Sequence, residues 1–131
     1  MESVVHFLLG WNGVHASMKT SYFAKYKKPN GVSIARGTPK WFNGPLLTEL
    51  MPSWDIINRV KSGSITHDVY EEIYRNEVLS ILDPLDIYQK YEDSVLLCWE
   101  RIGEFCHRRI VASWIEEETG NEVEEYGTWK I

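Results

Sequence analysis

Hydrophobic residues recur along this chain in short blocks separated by turn-forming clusters. Val4–Leu9 is an apolar-rich run closed by Gly10-Trp11-Asn12-Gly13, the pattern of a buried strand and its turn. The segment from Ser17 to Tyr26 predicts a short helix, stopped by Lys28-Pro29-Asn30-Gly31. Val32–Ala35 predicts a second strand, with the loop Arg36-Gly37-Thr38-Pro39 at its carboxyl end. Residues 37–52 hold two glycines and three prolines, so loop or a short irregular element is expected there. Ser53 caps a helix over Trp54–Val60, and Thr66 caps another over His67–Leu82, whose apolar positions fit a helix face imperfectly. Asp83-Pro84 opens a further short helix, because proline is favoured in a first turn. Ser94–Cys98 is the clearest strand and Phe105–Glu118 the clearest helix, with Gly120 as its stop; Glu122–Tyr126 predicts a last strand.

Continuous apolar strands separated by helices indicate an α/β fold: a small three-layer Rossmann-like domain with a mostly parallel central sheet and helices on both faces. In such sheets ligands bind beyond the carboxyl ends of the strands. The loops Gly10–Gly13, Arg36–Trp41 and Cys98–Phe105 are therefore expected to cluster around one cleft.

Length and composition fit this picture. The 131 residues are one domain's worth, and 44% hydrophobic with 25% charged residues is an ordinary globular balance. The apolar runs are too short to span a bilayer, and no charged and apolar leader opens the chain, so a cytoplasmic protein without a membrane partner is expected. Two cysteines cannot make a disulfide framework, and reduced thiols are expected. The net charge of −5 is unevenly spread. Residues 19–40 carry Lys19, Lys25, Lys27, Lys28, Arg36 and Lys40 with no acid, whereas the C-terminal stretch is acidic. An acidic body with a local basic face suits one small anionic ligand, or a short nucleic acid, better than a broad phosphate-backbone surface. Most of the six tryptophans are expected in the core; Trp11, Trp41 and Trp99 sit in loops or at strand ends, where they could stack on a planar ligand.

The densest chemistry lies between Cys98 and Arg109. Cys106, His107 and Arg108 fall in the first turn of the last helix, where unpaired N–H groups and the positive dipole end attract anions and depress a thiol pKa. Cys106 is a candidate nucleophile, His107 its acid or base, Arg108 a bidentate anion ligand, and Glu100 a base or a partner for a ligand hydroxyl or amine. The alternative is structural. Cys106, Ile110 and Trp114 share one apolar helix face, where a cysteine is a small hydrophobe, Cys98 closes a strand, and Arg108 can pair with Glu104. Seven residues separate the cysteines and His107 adjoins Cys106, which disfavours a zinc site; no metal and no cofactor are indicated. No phosphate loop, dinucleotide fingerprint or serine elbow is present.

At these residues the chain resembles the family called domain of unknown function 488. Its tail pairs a strand running into Cys-x-Glu with Cys-His-Arg opening a helix, matched here by Cys98-Trp99-Glu100 and Cys106-His107-Arg108. Upstream, Leu50-Met51-Pro52-Ser53 is similar to its Leu-x-Pro-Ser helix start, Ile65-Thr66 with Tyr70–Tyr74 to its tyrosine-bearing helix, and Arg36 to an arginine ending its second strand. Many relatives carry an Asp two residues before that arginine, where this chain has Ile34. The resemblance implies a small three-layer α/β domain with a ligand cleft at the strand ends, without fixing a reaction, and compact relatives encoded by phages or mobile elements. The functional expectation is thus a binding site for a nucleotide, nucleobase or other anionic metabolite. Arg36, Lys40 and Arg108 would meet the anion, Trp11, Asn12, Trp41 or Trp99 and Cys98 would line the ligand, and Cys106, His107 and Glu100 would act if the site is catalytic. A non-catalytic sequestering or protein-interaction module, and a nucleic-acid binder using residues 19–40, are the alternatives. Nothing in the sequence fixes the oligomeric state.

Overall fold

The computed structural model describes residues 17–127. The expected strand Val4–Leu9 and the turn carrying Trp11 and Asn12 lie outside the described residues. Among the described residues, four strands, β1 (Lys19–Tyr22), β2 (Gly31–Ser33), β3 (Val95–Cys98) and β4 (Glu124–Glu125), form one sheet in the order β2-β3-β1-β4. Every pairing is parallel. Four helices accompany them among the described residues: α1 (Trp54–Lys61), α2 (His67–Glu77), α3 (Pro84–Lys90) and α4 (His107–Thr119). This is the expected Rossmann-like α/β arrangement with a parallel sheet.

Each helix begins where its capping chemistry lies. The Ser53 hydroxyl accepts from the Ile56 amide at 3.2 Å, and the Thr66 hydroxyl from the Val69 amide at 3.1 Å. Asp83 accepts from Leu85 and Asp86 ahead of Pro84 in the first turn of α3. Gly120 closes α4 with φ of 76°, a left-handed value that a side chain would resist.

β3 organises the interior. Leu96 points into a core shared with Val32 and Ile34 and with Ile56, Tyr74, Ile87 and Val111 from the four helices. Val95 and Leu97 point to the opposite face, where Phe23, Tyr26, Phe42 and Tyr126 gather around them. Among the described residues, the buried apolar side chains of all four helices join the first of these clusters.

Two expected elements are corrected. The predicted helix at Ser17–Tyr26 is the strand β1, paired with β3 from Lys19 opposite Val95 to Tyr22 opposite Cys98. Its interior positions Thr20 and Ser21 are fully buried although polar, so no apolar strand pattern marked them. The predicted helix His67–Leu82 ends at Glu77, and Leu79–Ile81 tightens into a 3-10 turn. The tightening buries Leu79 and leaves Ile81 80% exposed.

Candidate functional site

Beyond the carboxyl ends of β2 and β3, the chain encloses a cavity of about 600 Å³. Its rim is made by Ala35-Arg36-Gly37 after β2 and Cys98-Trp99-Glu100 after β3. Its floor and walls come from three helices and their approaches: Pro52 just ahead of α1, Trp54 and Lys61 within it, His67 and Tyr70 of α2, and Phe105-Cys106-His107 leading into α4. Two of the three expected loops therefore meet, and the indole Nε1 of Trp99 donates to the Gly37 carbonyl at 2.9 Å to tie them together.

Aromatic packing shapes the wall. Phe105 stacks on His67 with centroids 4.1 Å apart and meets the edge of Tyr70 at 5.0 Å. Burial, and secondarily the nearby Glu100 carboxylate, raise the Tyr70 pKa, so its phenol stays a donor. Polar groups of both signs line the same space: Arg36 and Lys61, Glu100 and Glu104. Arg36 is oriented by its Nε, which donates to the Pro52 carbonyl at 2.7 Å, leaving the guanidinium head exposed.

His107 is buried, and its Nε2 donates to the Ile34 carbonyl at 2.7 Å, a bond that assigns the proton to Nε2 and leaves Nδ1 as the acceptor. Burial lowers its pKa to about 4; the bond to Ile34 opposes the shift and the Arg108 charge adds to it. A neutral imidazole thus turns Nδ1 toward Cys106 Sγ at 4.0 Å. Tyr74 packs on it edge-on at 5.5 Å, with its hydroxyl donating to the Leu50 carbonyl at 2.5 Å.

The thiol expectation is overturned. Cys98 and Cys106 are joined by a disulfide, so neither is a free nucleophile in this form. Two cysteines are too few for a framework, but the loop 99–105 folds back so that the end of β3 lies against the residue capping α4. That proximity is tertiary and cannot be read from spacing.

Arg108 also departs from expectation. Its guanidinium does not line the cavity; it is 1% exposed and pairs with Glu125, itself 8% exposed, through Nη2 at 2.8 Å. Its Nε donates to both Glu125 oxygens at 3.0 and 3.3 Å, and its Nη1 to the Glu100 carbonyl at 2.7 Å and Cys98 Sγ at 3.2 Å. The Glu125 carboxylate also accepts from Thr20 at 2.6 Å, and Arg109 donates to the same Thr20 hydroxyl at 2.8 Å. Arg108 is therefore a positioning residue that pins the Glu100 turn to the sheet, not an anion ligand, and its expected partner Glu104 is replaced by Glu125.

The other expected residues divide. Glu100, Cys98, Trp99, Cys106, His107 and Arg36 all line the cavity. Lys40 and Trp41 do not; Trp41 packs edge-on against Phe23 at 6.3 Å with Lys27 Nζ 5.2 Å from its ring centre. Sequence reasoning missed His67, Tyr70, Trp54 and Lys61. The tyrosine-bearing motif was a signal for Tyr70, whereas His67 and Trp54 looked like ordinary first-turn residues.

Among comparisons with known proteins, a family model described as the active DUF488-N3 subclade (DUF488-N3a) matches residues 16–119. No curated protein and no solved structure matches the chain.

Proposed function

The chain belongs to the DUF488 family, and from that premise we propose that its strand-end cavity binds a small planar anionic ligand of the nucleotide class. The observation that carries the reading is the pairing, in one cavity of about 600 Å³, of aromatic walls with charged groups of both signs. The base would lie against Phe105 and the exposed indoles of Trp54 and Trp99. Glu100 would accept from an exocyclic amine or ribose hydroxyl. Arg36 and Lys61 would meet the phosphate, Arg36 with a fork already oriented by Pro52.

The bridged cysteines favour binding over thiol catalysis in the disulfide form, because no thiolate is present to attack. Sequestration of the ligand is therefore the role this form supports.

Calorimetric titration of the oxidised protein with a nucleoside monophosphate, the matching nucleoside and orthophosphate tests the reading. The monophosphate should bind more tightly than either fragment. Arg36→Ala should weaken it by roughly 10–100-fold, the worth of a charge-assisted hydrogen bond of about 1.5–3 kcal/mol, while the melting temperature barely moves. Equal affinity in Arg36→Ala, or no nucleotide binding at all, would overturn it.

A further inference from the structure

We propose that the reduced form of this protein binds a soft divalent metal ion of the zinc class through Cys98, Cys106 and His107, with a fourth coordination position open to the cavity. This does not rest on the nucleotide reading, and it is tested with metal alone. The ligand atoms of the three residues lie within 4.8 Å of one another, and all three residues are buried at the cavity wall. A tetrahedral ion with Zn–S of about 2.3 Å and Zn–N of about 2.0–2.1 Å needs donor atoms roughly 3.5–3.8 Å apart. Cys106 Sγ and His107 Nδ1 stand at 4.0 Å, close to that edge already. The Cα atoms of the two cysteines are 7.4 Å apart, which leaves room for the sulfurs to part by side-chain rotation once the bond between them is cut.

The surroundings are those of a metal ligand set. A coordinating histidine characteristically donates its other ring N–H to a carbonyl or carboxylate, which fixes the tautomer. His107 does this through Nε2 to Ile34, so Nδ1 presents its lone pair on the cysteine side. Arg108 Nη1 already donates to Cys98 Sγ at 3.2 Å, a contact that strengthens for a thiolate. Cys106 is the N-cap residue of α4, and its side chain makes no capping bond, so the helix end stabilises a negative sulfur there without using it up. Sequence spacing argued against a metal because the cysteines are not a knuckle; the fold supplies the proximity that spacing lacked.

The chemistry balances in two steps. A dithiol reductant cleaves the Cys98–Cys106 bond, giving up two electrons and two protons and becoming a disulfide itself, and leaves two protein thiols. The divalent ion then displaces both thiol protons to solvent and takes the neutral imidazole without proton loss. Three protein donors with one open position is the arrangement of a reactive rather than a sealed structural site.

The test uses full-length protein, freed of metal and reduced anaerobically with a phosphine, which becomes its oxide with oxygen from water. Cobalt(II) is then titrated in as a spectroscopic probe. One equivalent should produce a sulfur-to-cobalt charge-transfer band with tetrahedral d–d bands, bleached by stoichiometric zinc. The oxidised protein should give neither band. Cys98→Ser and Cys106→Ser should each lose a large part of the charge-transfer intensity and bind about tenfold or more weakly. His107→Gln should shift the d–d bands. Because His107 is buried, Cys98→Ser, checked for folding by circular dichroism, carries the test if His107→Gln does not fold. A reduced protein with no charge-transfer band, an unchanged band in the serine variants, or the same band in the oxidised protein would overturn the proposal.

Discussion

Replacing Glu125 with alanine should be among the most damaging single changes outside the apolar core. Its carboxylate accepts from Arg108 Nε and Nη2 and from Thr20, and the two side chains of the ion pair are 1% and 8% exposed. Truncation leaves a guanidinium buried with its Nε and Nη2 edge unpartnered by Glu125, while Nη1 keeps Glu100 and Cys98. Three donors lose their acceptor, two of them on a buried guanidinium, which places the loss at about 3–5 kcal/mol, the cost of breaking a buried ion pair. Glu125→Gln keeps an acceptor and should lose less, about 1–3 kcal/mol. Urea denaturation followed by far-ultraviolet circular dichroism would read these losses, with an unchanged m-value showing that the native and unfolded states kept their compactness. The double change Arg108→Met with Glu125→Leu should recover most of the stability, because apolar replacements of a buried pair are often neutral. It should still impair ligand binding, since Arg108 fastens the Glu100 turn. A Glu125→Ala loss below about 1 kcal/mol would refute the reasoning, as that is the worth of a solvent-exposed pair.

Four other outcomes follow from the packing. Trp114→Ala should cost about 3–5 kcal/mol, because the ring is 7% exposed within the helical core, and a thermal melt would show it. Tyr74→Phe should cost about 1–3 kcal/mol by stranding the Leu50 carbonyl in the core, readable by chemical denaturation. Gly120→Ala should cost about 1–2 kcal/mol, since φ of 76° forces a side chain into the left-handed region. For the metal-free oxidised protein, the lowered His107 pKa of about 4 means that the unfolded chain, near 6.5, binds the extra proton first. That contribution to stability is complete above about pH 6.5 and is lost as pH falls toward 4; His107→Gln should flatten this part of a stability–pH curve.

Much of the framework is legible in the sequence because it depends on neighbours in the chain. Ser53, Thr66 and Asp83-Pro84 start helices where they stand, Gly120 ends one, and the run at Val95 is a strand. The strand-end rule for parallel sheets found the cavity, and with it Arg36, Glu100 and His107. What stayed hidden depends on contacts distant in sequence. Thr20 and Ser21 are polar and buried, and Thr20 is tolerable only because Glu125 and Arg109 satisfy its hydroxyl from the far end of the chain. The same network turns Arg108 from a ligand into a brace. The Cys98–Cys106 bond depends on how one loop folds back, which no periodicity encodes.

The strand order β2-β3-β1-β4 also governs when this sheet can assemble. β1 pairs with β3 and β4, its partners being Val95 and Glu124 for the single residue Lys19. On a ribosome, β1 emerges long before β3 and β4, its partners among the described residues. α1 and α2 can form locally meanwhile, but they have no completed sheet to cover. Contacts of such long sequence separation slow folding, because loop closure precedes any gain from pairing. Glu125 is made later than all that it braces, so the Glu100 turn stays unfastened until synthesis has passed that residue. Nascent chains halted before it should remain open to protease, and should depend on chaperones more than their length would suggest.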